Sequence, residues 1–215
     1  MEVIVRPYEP RDRAAVRRIC CDTADSGRPV ERFFKDREVF GDLLTRYYTD
    51  FEPQSCWVAE HDGAVVGYLT GCLDTHRFTR VMIKRVAPAA LLRAIGRGTF
   101  LQALTWKLVA ANWRMAAIAS ERRGDLLRQY PAHLHVNLQT GFRGQQAGQR
   151  LVEAFCQQAR AAGAAGVHAG VSAANEKACH FFEGLGFNEL ARESRFRMPD
   201  EPNRIVDTVI YGRRL

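Results

Sequence analysis

The chain has 215 residues, 47% hydrophobic and 26% charged, with Lys+Arg 31 against Asp+Glu 24 for a formal net charge of +7. That mixture excludes a disordered chain, a collagen-like repeat and a disulfide scaffold, and the length suffices for one domain whose core needs neither disulfide nor metal. The basic surplus suits an anionic partner, whether phosphate groups, a nucleic acid or an acidic membrane.

In chain order, Val3-Ile4-Val5 reads as a strand and Arg11 to Cys21 as a helix, with apolar residues at helical spacing. Val30 to Tyr48 reads as a helix in two pieces around Gly41, its aromatic residues being core or the mouth of a pocket. Ser55 to Glu60 and Ala64 to Leu73 read as a hairpin, because Asp62-Gly63 supplies the positive φ angles of a tight turn. The segment 77–128 holds eleven Lys/Arg and two acids. It reads as a helical insertion at about 76–130, with Pro88 as a helix start and Gly96 and Gly98 as a break. Its charges are either solvated helix faces or a lid or docking surface for an anion.

Ala132 to Gln139 then reads as a strand, Arg143 to Ala161 as a helix, Gly166 to Ser172 as a strand and Asn175 to Gly184 as a helix. Phe187 to Arg195 and Arg204 to Tyr211 read as closing strands, the last able to pair across a homodimer. This mixed order predicts an α/β (α+β mixed) domain: one mixed sheet flanked by helices. Six cysteines without CxxC spacing read as buried, reduced thiols of a cytoplasmic protein, and the N-terminus has no signal-peptide pattern. Lys107, Asn112 and Arg114 interrupt the apolar stretch Thr99 to Ala119, so no membrane span is expected. A nucleic-acid reading rests on charge alone, with no recognition motif behind it.

The chemistry concentrates at 138–151, where a strand enters the turn Thr140-Gly141-Phe142-Arg143-Gly144-Gln145-Gln146-Ala147-Gly148-Gln149 and a helix follows. Amides at such a helix start are unpaired and receive phosphate oxygens, although a glycine-rich turn is often only a turn. Some thirty residues on stands Asn175-Glu176-Lys177-Ala178-Cys179-His180-Phe181-Phe182, closed by Gly186-Phe187.

With these two motifs the chain resembles the GNAT superfamily of acyl-CoA-dependent N-acetyltransferases. The resemblance implies that Gly144, Gln145, Gln146, Ala147, Gly148 and Gln149 cradle the pyrophosphate of acetyl-CoA, with Arg143 opening the loop. It implies that the pantetheine arm lies along the strand at Val136 and Leu138, with Asn175 beside the cofactor and Phe182 near the thioester. Such an enzyme uses no metal. Gln146 stands where the family has glycine, and Phe182 where it often has a tyrosine that protonates the leaving thiolate. The strings 67–75 and 130–135 also resemble the acetyltransferase-like domains attached to O-GlcNAc hydrolases, which need not be efficient acetyltransferases.

Two candidates for the general base follow from the sequence. His133 and His135 share one strand face, and histidine titrates near neutrality, so His135 is one; both histidines are otherwise structural. Asp74, ending the preceding strand, is a base, an amine-binding carboxylate or a turn cap. The expected function is acetyl transfer from acetyl-CoA to a primary amine of a small molecule or protein. The alternative is a catalytically weak or inactive module that binds CoA, or a partner through its basic insertion.

Overall fold

The computed structural model describes residues 2–99, 124–144, 146–197 and 205–215. The expectations for 100–123, including most of the apolar stretch, and the assignment of Gln145 lie outside the described residues. The elements are β1 (Ile4–Pro7), α1 (Arg13–Asp22), α2 (Arg37–Phe51), β2 (Cys56–His61) and β3 (Ala64–Cys72). There follow α3 (Thr75–Val81), a π-helical turn (Met82–Val86), α4 (Ala87–Gly96) and α5 (Gly124–Gln129). The second half contains β4 (Ala132–Leu138), α6 (Ala147–Ala161), β5 (Gly166–Ser172), α7 (Glu176–Gly184), β6 (Asn188–Arg197) and β7 (Ile205–Arg214).

One seven-stranded sheet in the order β1-β2-β3-β4-β5-β7-β6 forms the centre. Only β4 and β5 run parallel. Helices α6 and α7 cover one face through Leu151, Val152, Phe155 and Phe182. Helices α1 and α2 cover the other through Val16, Ile19, Tyr47 and Tyr48. Because both faces are covered, β3 is buried along all but its first residue, which explains its nearly unbroken apolar sequence. The β2–β3 turn has positive φ at Asp62 and Gly63, as its Asp-Gly sequence requires.

The structure departs from these expectations at several points. α2 runs unbroken through Gly41; the break falls at Asp36, whose carboxylate caps the helix by accepting from the N–H groups of Glu38 and Val39. Gly41 instead permits close packing, since a Cβ there would sit 3.2 Å from the Arg17 guanidinium carbon. Pro88 stands in the first turn of α4, as expected, but α4 follows without a break on α3 and the π turn, which start the helical stretch at Thr75. Proline lacks an N–H, and a widened turn is one way a helix absorbs that loss. The helix expected from Arg143 starts at Ala147, because positive φ at Gly144 and Gln146 keeps the backbone out of helical register. Finally, β7 is paired on both sides, with β5 and β6, and presents no edge to a second copy.

Five of the six free cysteines are buried and Cys179 is half-buried. Burial pushes the Cys21, Cys56 and Cys72 thiols up to about 12. Among the described residues no helix is long and apolar enough to cross a membrane.

Candidate active site

The site is organised by a fork in the sheet. β4 pairs with β5 only at Ala132↔Val167 and His133↔His168, and beyond His133 the two strands part. On the other side β4 stays paired with β3 from His133 to Leu138. The Gln139 N–H donates to the Val66 carbonyl of β3 at 2.9 Å. Backbone groups alternate along a strand, so the N–H and C=O of Val136 and Leu138 turn toward the edge that β5 has left. Both residues were expected to line an extended ligand. Arg143 Nε donates to the Leu138 carbonyl at 3.1 Å, spanning the mouth of the fork.

Directly after β4 comes the turn. Gly144 has φ +79° and Gln146 φ 59°, both left-handed. A glycine at 146 would adopt this conformation freely; for glutamine it carries a cost of about 1–2 kcal/mol. The Gln146 side chain is exposed, so the departure from glycine leaves the backbone of the cradle in place. Ala147 and Gly148 are buried and Gln149 is exposed at the start of the 15-residue helix α6. At Gly148 a Cβ would meet Leu138 Cδ1 at 3.0 Å and the Phe181 ring at 3.3 Å, so the missing side chain brings α6 against β4 and α7. Together these residues form a helix N-terminus next to an open strand edge. That arrangement suits a phosphate group attached to an extended, amide-bearing arm.

His133 and His135 face α1 and α2, while Leu134 packs among the residues beneath α6. His133 is 6% exposed, and its Nε2 lies 2.9 Å from the Tyr48 hydroxyl. Thr75 Oγ1 donates its one proton to the Pro131 carbonyl at 2.7 Å and so accepts from His133 Nδ1 at 2.8 Å. In the neutral ring Nε2 then accepts from the Tyr48 hydroxyl, and burial holds the Tyr48 phenol well above its usual range. Both ring nitrogens of His133 are thereby engaged, and the Phe78 ring packs edge-on against it at 4.7 Å. His135, two residues on, is exposed where the fork opens and lies 5.9 Å from both the Tyr48 and His133 rings.

The structure does not bring Asp74 to His135. Asp74 Oδ1 accepts from the N–H groups of His76 and Arg77 at 2.8 and 3.1 Å, capping α3. The β3 partner of His135 is Thr70, and β3 ends at Cys72, two residues before Asp74. Asn175 likewise caps α7, accepting from the Ala178 N–H at 3.3 Å. Phe182 is 5% exposed and packs between Phe181, Phe187 and Tyr211. Sequence reasoning missed Tyr48 and Thr75 as partners of the histidine pair. Tyr48 lies 85 residues from His133, and no local pattern links them.

Comparison with known proteins bears on the fold that carries this site. Residues 118–187 match the model of the Acetyltransferase (GNAT) family. Over 76 residues the chain is 30% identical to Protein O-GlcNAcase of Rattus norvegicus, a match covering 35% of this chain and 8% of that relative. Over its whole length it resembles the crystal structure of SsHAT, with TM-score 0.75, 28% identity and coverage of 100% and 98% of the two chains. The polyamine N acetyltransferase of Drosophila melanogaster shares the fold at TM-score 0.61 and 16% identity, each chain fully covered. So does yncA of Salmonella typhimurium, a putative acetyltransferase solved with acetyl-CoA, at TM-score 0.57 and 15% identity over 100% and 95% of the chains.

Proposed function

The chain is a GNAT-fold protein, and from that premise we propose that it moves an acetyl group from acetyl-CoA to a primary amine by direct attack in a ternary complex. The observation that carries the proposal is the fork: an open β4 edge at Val136 and Leu138 running into the helix start at 144–149. The pyrophosphate is received by the amides of that turn, with Arg143 and the exposed Gln149 at its rim. The thioester arm lies along Val136 and Leu138, which bond it as a neighbouring strand would.

His135 takes a proton from the acceptor's ammonium group. The neutral amine then attacks the thioester carbonyl, and the developing oxyanion is held by a backbone N–H of the open edge. The C–S bond breaks, the newly bonded nitrogen gives its second proton to water to become the neutral amide, and the thiolate of CoA leaves and takes a proton from water. His133 is a positioning residue in this scheme, since the Tyr48–His133–Thr75 chain fixes the strand that carries His135.

A second reading has one observation in its favour. Phe182 has no hydroxyl and is enclosed by aromatic rings, so nothing at that position protonates the thiolate. That favours slow turnover, or a domain that binds CoA without turning it over.

The test is thiol release from acetyl-CoA with a panel of primary amines. His135→Gln is expected to lower kcat/KM by about a hundredfold or more and flatten its pH dependence, with the fold intact. His133→Gln is expected instead to lower stability, by about 1–3 kcal/mol, through loss of a buried hydrogen-bond chain. Unchanged rates in His135→Gln would remove His135 as the base. Binding of acetyl-CoA without release of thiol to any amine would establish the second reading.

A further inference from the structure

We propose that the outward face of the helical stretch Thr75–Gly96 docks on an anionic membrane surface. Soluble domains seldom leave several large aliphatic side chains open on one helix. Here Ile83, Leu91, Leu92 and Ile95 are 67%, 50%, 71% and 61% exposed. Leu91 and Ile95 are one turn apart, Leu92 adjoins them, and Ile83 lies about two turns before. The inward face is separate: Val86, Ala90 and Ala94, spaced one turn apart, are buried.

Charge selects the partner. Residues 75–97 contain Arg77, Arg80, Lys84, Arg85, Arg93 and Arg97 and no acid. Arg93 and Arg97 are neutralised by ion pairs with Asp42 and Asp36, and Arg85 lies over the Phe51 ring at 5.9 Å. Arg77 donates to the Phe51 carbonyl. Arg80 and Lys84 have no acidic partner among the described residues, and both are exposed, Lys84 directly beside Ile83. Exposed aliphatics next to unneutralised cations on one helix match the chemistry of an anionic lipid interface. The aliphatics enter the acyl boundary and the long cationic side chains reach the headgroups. A nucleic acid offers nothing to four aliphatic side chains. A second copy meeting this face would set cations against cations.

The experiment is flotation of the full chain with two vesicle preparations. One is phosphatidylcholine alone and the other phosphatidylcholine with about one third phosphatidylglycerol. The proposal expects binding to the anionic vesicles only, weakened by salt. Leu92→Glu with Ile95→Glu should reduce it at least tenfold, and Lys84→Glu by about fivefold or more, since each cation near the surface contributes about that factor. The three substituted positions are exposed, so circular dichroism and melting temperature should be unchanged. No binding to anionic vesicles overturns the proposal, as does equal binding to the neutral ones. It also fails if the Leu92/Ile95 variant binds like the parent. Loss of a sedimenting dimer in that variant, or a lower melting temperature without vesicle binding, would assign the face to a second copy or to the chain itself.

Discussion

Gln146 shows how a departure from a family pattern is resolved at the scale of one residue. Its backbone takes the left-handed conformation that glycine takes without strain, and the residue is exposed. Replacing it with glycine removes the Cβ penalty but frees the unfolded chain, and these effects partly cancel. Gln146→Gly should therefore stabilise by roughly 0.5–1 kcal/mol in urea unfolding, whereas Gln146→Val should destabilise by more than 1 kcal/mol, because a β-branched residue tolerates positive φ poorly. The residue type alone left two readings open, a crowded cradle or an outward side chain, and the exposure of Gln146 supports the second. The histidine pair behaves in the same way. Alternation along the strand places His133 and His135 on one face, but the distinction between them comes from Tyr48 on α2 and Thr75 on α3.

Elements, by contrast, were legible wherever the signal is local. The period-2 pattern of β4, the Asp-Gly hairpin and the amphipathic α6 follow directly from residue order. The fork does not: whether β4 and β5 stay paired beyond His133 depends on the packing of chain segments far apart in sequence. Gly41 misled for a related reason, since a helix held by tertiary packing tolerates it.

Asp36 illustrates how elements are tied together. Its carboxylate caps α2 and accepts from Arg97 and Thr99 at the end of the insertion helix. Burial pushes this carboxyl upward, but the bonds from Arg97, Thr99 and the Val39 amide outweigh it and hold the group below its usual value. Asp36→Ala should cost about 1–2 kcal/mol at pH 7. The sign with pH follows from the lowered value. The stabilisation is complete above the unfolded carboxylate range near ~4 and is lost as the pH falls through the lower folded value. Urea unfolding at pH 7 and at about pH 3 should therefore show the gap between parent and variant closing in acid.

For the whole molecule, the architecture accounts for where chemistry is possible. Two helical layers cover the faces of the sheet, and between its outer strands β1 and β6 the separation of β4 from β5 opens a further strand edge inside it. The central claim is that this opening, with the turn at 144–149, holds the pyrophosphate and arm of acetyl-CoA. Calorimetric titration with acetyl-CoA tests it most directly, using the parent chain and Gln149→Glu. Gln149 is exposed in the first turn of α6, so the substitution places a negative charge at the cradle without disturbing the core. The account predicts one site per chain of about micromolar Kd, weakened about tenfold or more by Gln149→Glu through repulsion of the phosphates and left intact in His135→Gln. Absence of binding to the folded parent, or equal affinity in Gln149→Glu, would contradict it.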